Sequence, residues 1–252
     1  MQKYLFIVIG FLFMNMQSQT APVVYGISLD TIRNWVKEKP AYFQALKRKF
    51  QKTDLTESQM VMLYYGSAFL PGYQPGVAEK EIETIYKLTG NMDFEAGLKT
   101  AESLLKKYPV EARLYMLAGY AAKKTGDEKK SKFYYKKYGD LLRVPLYSGT
   151  GESFDKAYVV RSTSDEFLII NQKNYELKRQ EVRYYNQMPF DKMLVSPKNL
   201  PQQNQEIYFN IYLPLFVANH LTYKDKQLEA IKKYKVDPKK YPKTLEKIKK
   251  SK

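Results

Sequence analysis

Three consecutive segments between residues 93 and 142 carry apolar and small side chains at helical spacing. In the first, residues 93–108, apolar residues recur three and four positions apart, and Pro109 follows. Gly126 marks the turn between the second and third, residues 111–125 and 127–142. Because residues three or four apart share one face of a helix, the pattern predicts three helices that pack side by side.

This pattern resembles the tetratricopeptide repeat, a helical hairpin with a period of 34 residues. The matching positions are small, aromatic, turn or closing residues: Gly97, Pro109, Tyr115, Ala118, Gly119, Ala122, Gly126, Ser131 and Tyr135. Tyr138 departs from the repeat pattern where a small residue is usual, and Arg143 departs from it where a second closing proline belongs. The alternative is an ordinary antiparallel helix pair, which obeys the same packing rule.

Further helices are predicted ahead of this region. Ser28 and Asp30 resemble a helix start, and Pro40 breaks or kinks the helix that follows. Thr56 and Gln59 stand three apart in a capping-box pattern, which opens the next helix. We therefore expect residues 22–147 to form a helical, tetratricopeptide-like region.

Strand signals replace helical ones from residue 148. Two β-rich runs, residues 157–160 and 167–170, flank a turn and predict a hairpin. Ile207, Phe209 and Ile211 alternate with polar or aromatic residues, as in a strand with one buried face. Two further strands are predicted, over residues 176–185 and 193–195.

These signals predict a small antiparallel β-sheet over residues 148–222. Residues 223–252 are predicted to form a basic helical tail with sparse apolar contacts. The expected fold class is therefore α+β, with the helical part first, the sheet second and the tail last.

The N-terminus has the three-part layout of a secretory signal peptide. Lys3 supplies a positive charge, residues 4–16 are largely apolar, and small or polar residues follow. The apolar run is shorter than the roughly 20 residues that span a membrane. Residues 1–21 are thus predicted to be a signal peptide, and the protein is expected to be periplasmic, on the cell surface or extracellular, with no transmembrane span after cleavage. The alternative is an uncleaved signal anchor.

The charge of the chain indicates an anionic partner. The formal net charge is +16, and residues 224–252 hold twelve lysines against four acidic residues. Such a bias suits an acidic protein or peptide, or an anionic envelope surface. Export argues against nucleic acid as the partner. The alternative is a solvated, lysine-covered tail.

The predicted repeat places a candidate binding groove on the helix that starts at Ala112. Its inner-face positions lie three or four apart, except for the last two, and combine basic with apolar side chains: Arg113, Met116, Tyr120, Lys123 and Lys124. Basic side chains form charge-assisted hydrogen bonds with carboxylates. The alternatives are solvent-facing side chains or cover by an N-terminal helix.

A second candidate lies around the loop of residues 71–76. Tyr65 and Tyr73 belong to an aromatic cluster there, together with Tyr64 and Phe69. Such rings stack on sugars or prolines, or else fill the core and anchor the loop.

No catalytic constellation is recognisable. His220 is the one histidine, cysteine is absent, and so no transition metal and no cofactor are expected. The alternative function is an envelope hydrolase that uses a pair of carboxylates from the β-region. The candidates for such a pair are Glu152, Asp155, Asp165, Glu166, Asp191 and Glu206.

The assembled pattern resembles a family of secreted bacterial proteins known as domain of unknown function number forty-nine nineteen. The resemblance rests on residues 64–75, 148–153, 164–167 and 207–210. It implies a helical, repeat-like front and a β-containing back, and it brings no activity or catalytic residue with it. The sequence thus favours an exported, non-enzymatic binding or scaffolding protein that presents a helical groove.

Overall fold

A computed structural model describes residues 21–76, 78–221, 225–226 and 229. The predicted signal peptide therefore lies outside the described residues, except for Ala21. The predicted basic tail also lies outside them, except for residues 225, 226 and 229. The structure tests neither prediction.

The described part is α+β, as predicted. Its α-helices, in chain order, are α1 (Leu29–Glu38), α2 (Pro40–Phe50), α3 (Glu57–Gly66), α4 (Glu79–Gly90), α5 (Phe94–Lys107), α6 (Ala112–Lys124), α7 (Glu128–Leu146) and α8 (Thr163–Gln172). Its strands are β1 (Val23–Val24), β2 (Ile27–Ser28), β3 (Tyr158–Val159), β4 (Tyr175–Tyr185), β5 (Met188–Pro197) and β6 (Gln205–Asn210). Among the described helices, none is both long and apolar enough to cross a membrane.

Local side chains set several helix ends. Pro40 is the first residue of α2, a position where its missing N–H costs no helical hydrogen bond. Thr56 and Gln59 form the predicted capping box of α3. Asp93 and Asp127 cap α5 and α7 by accepting hydrogen bonds from Ala96 N and Lys130 N.

The four helices α4 to α7 pack in sequence, and Gly119 lies where α6 crosses α7. The Ser131 hydroxyl of α7 donates a hydrogen bond to the Gly119 carbonyl at 3.0 Å. A Cβ atom on Gly119 would lie 3.1 Å from the Tyr135 ring. The absence of a side chain therefore lets these two helices approach closely, as the sequence predicted.

The sheet has the strand order β3-β6-β5-β4 and is mixed. The pairs β4–β5 and β5–β6 are antiparallel, but β3 runs parallel to β6, so Tyr158 lies opposite Phe209. The predicted hairpin between residues 157–160 and 167–170 is wrong, because residues 167–170 lie in α8. The Ser162 and Asp165 side chains form a capping box that starts this helix.

One contiguous hydrophobic core joins the helices to the sheet. It includes Ile32 of α1, Tyr64 of α3, Ala118 of α6, Ile169 of α8 and Phe209 of β6. Helix α8 is therefore positioned between the earlier helices and the sheet, and it contributes side chains to the candidate site.

Candidate functional site

The predicted groove residues share the exposed face of α6. Tyr120 is 39% exposed, Lys123 and Lys124 are exposed, and Arg113 and Met116 are partly buried. The opposite face, with Leu114, Tyr115 and Ala118, is buried in the core. Helical spacing places these residues on the side of α6 away from the core, but that this side forms the inner face of a binding groove stays a prediction.

The N-terminal half of this face lines a cleft of about 360 Å³ between α4, α6, α7 and α8. We call it the aromatic cleft, and its main side chains are Tyr86, Met116, Tyr138, Phe167 and Leu168, with Arg113 and Glu79 beside them. Tyr86 is 49% exposed and Phe167 is 42% exposed. Phe167, assigned to a strand from sequence, instead reaches this cleft from the first turns of α8.

Arg113 is held in place by two carboxylates. Its guanidinium donates to both oxygens of Glu79, at 2.9 and 2.5 Å, and to Glu111 Oε1 at 3.3 Å. Burial opposes the charged form, but these acidic partners outweigh it and raise the pKa of Arg113. Arg113 is therefore a fixed element of the cleft wall rather than a free cation.

The C-terminal half of the α6 face forms an exposed patch of rings and cations. Tyr120 packs edge-on against Phe94 of α5, with ring centroids 6.0 Å apart. Lys124 Nζ lies 5.7 Å from the centre of the Tyr120 ring and 6.0 Å from that of Phe94. Within the described residues, Lys123 and Lys124 make no ion pair, so their charges are available to an acidic partner.

The two loop aromatics have different positions. Tyr65 is fully buried, and its hydroxyl donates to the Val159 carbonyl at 3.0 Å. A ligand-stacking role for Tyr65 is therefore wrong, because the ring fills the core between α3 and the sheet. Tyr73 is partly buried and lines two clefts, and its hydroxyl donates to the Arg161 carbonyl.

A buried polar network connects α3 with the start of α8. Tyr64 donates to Asp165 Oδ2 at 2.6 Å, and the Arg161 guanidinium lies 3.5 Å from Glu111 Oε2. Burial raises the pKa of Asp165 to about 6 despite the nearby Arg161. Sequence reasoning missed Arg161 and Glu111, and only the Ser162–Asp165 capping spacing could have indicated this region.

The six carboxylates of the β-region divide into two groups. Glu152, Asp155 and Glu206 are exposed, whereas Asp165, Glu166 and Asp191 are buried. None of the six lines the clefts described here.

Glu166 of α8 and Asp191 of β5 form a buried acidic pair. Neither oxygen of Glu166 meets a described N–H or O–H donor, while Asp191 Oδ2 accepts from Gln180 Nε2 at 2.7 Å. Burial, reinforced by Asp191, raises the pKa of Glu166 well above its usual range. A protonated Glu166 can donate to Asp191, so the pair can share one proton.

Two further sequence features, the loop of residues 148–151 and His220, lie outside the aromatic cleft. The amides of Thr150 and Gly151 donate to the Lys156 carbonyl at 2.9 and 2.8 Å, so the Ser-Gly-Thr-Gly loop of residues 148–151 uses them internally. His220 borders a cleft beside the loop of residues 71–76. Among the described residues, no group of three or more acidic or histidine side chains is arranged to hold a metal ion.

The comparisons with known proteins give one match. The family model described as Domain of unknown function (DUF4919) matches residues 30–220, which include all of α1 except its first residue, helices α2 to α8 and the whole four-stranded sheet. No curated protein and no solved structure matches the chain. The family that the sequence motifs resembled is therefore confirmed: the chain belongs to the DUF4919 family.

Proposed function

We propose that this protein is an exported, non-enzymatic binding protein whose α4–α6–α8 face takes a segment of a partner protein. The observation that carries the proposal is the aromatic cleft, in which Tyr86 and Phe167 are about half exposed and share the lining with Met116 and Tyr138. Aromatic rings dominate the binding energy of many protein interfaces, because they bury large areas with few rotatable bonds.

Charge beside the aromatic cleft favours an acidic segment. Lys123 and Lys124 follow the cleft along α6, whereas Arg113 within it is already neutralised by Glu79 and Glu111. An extended or helical segment seated on the rings would bring its carboxylates near the two lysines. An anionic envelope surface would meet the same lysines, but it would leave the cleft unfilled.

The helical frame supports a tetratricopeptide-like presentation of this face. The capping residues Asp93 and Asp127 stand one 34-residue period apart, and Gly119 packs on Tyr135 at the expected crossing. In such hairpins, the first helix of each unit lines the concave surface, and here those helices are α4 and α6. Export is proposed from the signal-like N-terminus, which also argues against nucleic acid as the partner.

The hydrolase alternative receives less support. It requires two carboxylates that face a common cleft. Glu166 and Asp191 lie close together but are enclosed between α8 and the sheet, and Asp165 is tied to Tyr64 and Ser162. We therefore favour binding over hydrolysis.

Site-specific photo-crosslinking in the native host tests the proposal. A photoreactive phenylalanine analogue would replace Tyr86 or Phe167, and the matched control would replace Leu200, which is 47% exposed in the turn between β5 and β6. We expect a discrete cross-linked partner from both cleft positions and none from Leu200. Equal labelling from all three positions, or no partner from either cleft position, would contradict the proposal.

Alanine substitutions provide a second measurement once that partner is isolated. Phe167→Ala should weaken its binding by at least about 1 kcal/mol, because it removes a large exposed ring from the contact. Leu200→Ala should leave the affinity unchanged. Circular dichroism would confirm that both variants keep the fold.

A further inference from the structure

We propose a second binding site, for a small monoanionic carboxylate, in the cleft between the loop of residues 71–76 and the α5–α6 connection. This cleft has a volume of about 200 Å³ and is distinct from the aromatic cleft. Its principal side chains are Lys47, Leu70, Tyr73, Lys107, Glu111 and Arg161, and we call it the Arg161 cleft. The proposal does not depend on the proposed protein-binding function.

The incomplete hydrogen bonding of Arg161 is the first observation. Arg161 is only 8% exposed, and its Nη2 atom donates to the Val110 carbonyl at 2.9 Å. Its Nε atom is buried and has no acceptor among the described residues. Buried donors without a partner are rare in native proteins, because such a donor loses its hydrogen bond to water without a replacement. A ligand oxygen that enters the cleft would supply the missing acceptor.

The charge balance of the cleft is the second observation. Lys47, Lys107 and Arg161 line it together with one carboxylate, that of Glu111. Glu111 is already engaged by Arg161 at 3.5 Å and by Arg113 at 3.3 Å. Neither Lys47 nor Lys107 makes an ion pair with a described residue, and Lys107 instead lies 5.0 Å over the Tyr108 ring. Asp165 and Glu111 both lie near Arg161, so the positive charges without an acidic partner among the described residues are those of the two lysines.

These groups favour a carboxylate over a phosphate. Because Val110 and Glu111 already engage Arg161 Nη2, the donors left for a ligand carboxylate are the unpaired Arg161 Nε–H and the ammonium groups of the two lysines. The Glu111 carboxylate in the wall would repel a dianion more strongly than a monoanion. One negative charge suffices to occupy the unpaired donors.

The shape of the cleft limits the rest of the ligand. Tyr73, Tyr108, Pro71 and Pro109 supply flat apolar walls around the basic groups. The volume is below the roughly 300–1,000 Å³ of sites for drug-sized ligands, so the ligand is about the size of one amino acid. A free carboxylic acid with one ring or branched chain, or the last residue of a peptide, fits this description.

Arg161, which would bind the proposed ligand, also contacts the loop of residues 71–76. The Tyr73 hydroxyl donates to the Arg161 carbonyl, and Gly72 takes a positive φ of 75°, which lets the loop turn before Tyr73. Arg161 thus fixes the loop through its carbonyl, and its side chain lines the same cleft.

Nuclear magnetic resonance titration of the mature full chain tests the proposal. The probes are N-acetyl-L-phenylalanine, its neutral amide and phenyl phosphate, and the readouts are the Arg161 Nε–H and Gly72 amide resonances. We expect the carboxylate to shift both resonances saturably and to bind at least about tenfold more tightly than the amide, because the charge-assisted hydrogen bonds are lost in the amide. Equal affinity for the two, or no shift of the Arg161 resonance with either, would overturn the proposal, as would tighter binding of phenyl phosphate.

Matched charge reversals locate the site without disturbing buried Arg161. Lys107→Glu changes an exposed lysine at the rim, and Lys106→Glu changes its exposed neighbour on α5, which does not line the cleft. We expect Lys107→Glu to weaken binding of N-acetyl-L-phenylalanine at least about threefold more than Lys106→Glu. Equal effects of the two reversals would show that the probe responds only to general charge and would refute the site.

Discussion

Tyr64 and Asp165, which are 101 residues apart in the chain, meet in a buried hydrogen bond of 2.6 Å. The Tyr64 hydroxyl also accepts from the Arg161 amide at 3.1 Å, and Asp165 Oδ2 accepts from the Ser162 amide at 3.2 Å. A side chain of α3 therefore completes the cap of α8. Because α8 packs between the helices and the sheet, this contact joins the two halves of the fold.

Tyr64→Phe should lower the free energy of unfolding by about 1–3 kcal/mol, because it leaves buried Asp165 and the Arg161 amide each short of a partner. Urea denaturation of the variant and the wild type measures the change. Tyr147→Phe is the control, since Tyr147 is 67% exposed. Similar midpoints for Tyr64→Phe and the wild type would show that the network contributes little.

Gly119→Leu should destabilise the protein by about 1–3 kcal/mol through overpacking at the α6–α7 crossing. The reason is steric: even a Cβ atom there would lie 3.1 Å from the Tyr135 ring. Gly139→Ala on α7 is the control, because an added Cβ meets nothing within 4 Å. That control should stabilise the helix by up to about 1 kcal/mol. An unchanged denaturation midpoint for Gly119→Leu would place Gly119 away from the crossing.

The fold was predictable where a local signal decides the structure. Thr56 and Asp93 set helix starts through their side-chain hydrogen bonds, and Pro40 does so through its missing N–H, so sequence located them. The short apolar run at residues 167–170 fits a strand and a helix equally well, and the Ser162 capping box decides for the helix. The parallel β3–β6 pair depends on contacts distant in sequence, which periodicity does not report.

In the candidate site, too, sequence predicts the local features but not the contacts between distant segments. Helical periodicity places Tyr120 and Lys123 on the side of α6 away from the core, where both are exposed, but their role in a groove stays a prediction. The pairing of Arg113 with Glu79 and Glu111 was not predictable, because Glu79 belongs to another helix. Arg161 went unnoticed because its environment is assembled from Tyr64, Val110 and Glu111, which come from separate segments.

Glu166→Gln should change how stability depends on pH. In the unfolded chain Glu166 ionises near pH 4.3, whereas burial and Asp191 raise its folded-state pKa well above that. Protonation of Glu166 stabilises the folded state. This contribution is fully present below the pKa of the unfolded state, and it is lost as the pH rises through the pKa of the folded state. The wild type should therefore lose stability on going from about pH 4.5 to alkaline pH, by at most about 1.4 kcal/mol per pH unit from this group.

Glutamine cannot ionise, so the variant should show a shallower loss of stability over the same range. Free energies of unfolding at several pH values compare the two proteins, and Glu83→Gln, which changes an exposed residue of α4, is the control. Identical slopes for Glu166→Gln and the wild type would show that Glu166 titrates normally.

Protein purified from the native host should begin between residues 18 and 22, because the signal-like apolar run is followed there by small residues. Intact mass spectrometry and N-terminal sequencing measure this start. Recovery of a mature protein that retains Met1 would contradict cleavage and favour the uncleaved anchor.

Charge reversal should lower the stability of the fold at the N-terminal end of the α6 face and leave it nearly unchanged at the C-terminal end. Arg113→Glu would place a third carboxylate beside Glu79 and buried Glu111, so we expect it to destabilise the fold by at least about 2 kcal/mol. Lys123→Glu changes an exposed side chain without a described ion pair, and its effect on stability should stay within about 0.5 kcal/mol. Urea denaturation separates these two results.

Partner binding, unlike stability, should depend on the lysines at the C-terminal end of the α6 face. Once the cross-linked partner has been isolated, its affinity for the double variant Lys123→Glu/Lys124→Glu can be measured. We expect binding of this partner to weaken at least about tenfold, or 1.4 kcal/mol, while the circular dichroism spectrum stays unchanged. The reason is that these two lysines, unlike Arg113, carry charges that no described carboxylate already neutralises. If binding survives this double reversal but is lost on deletion of residues 224–252, then the basic tail and not the α6 face attracts the partner.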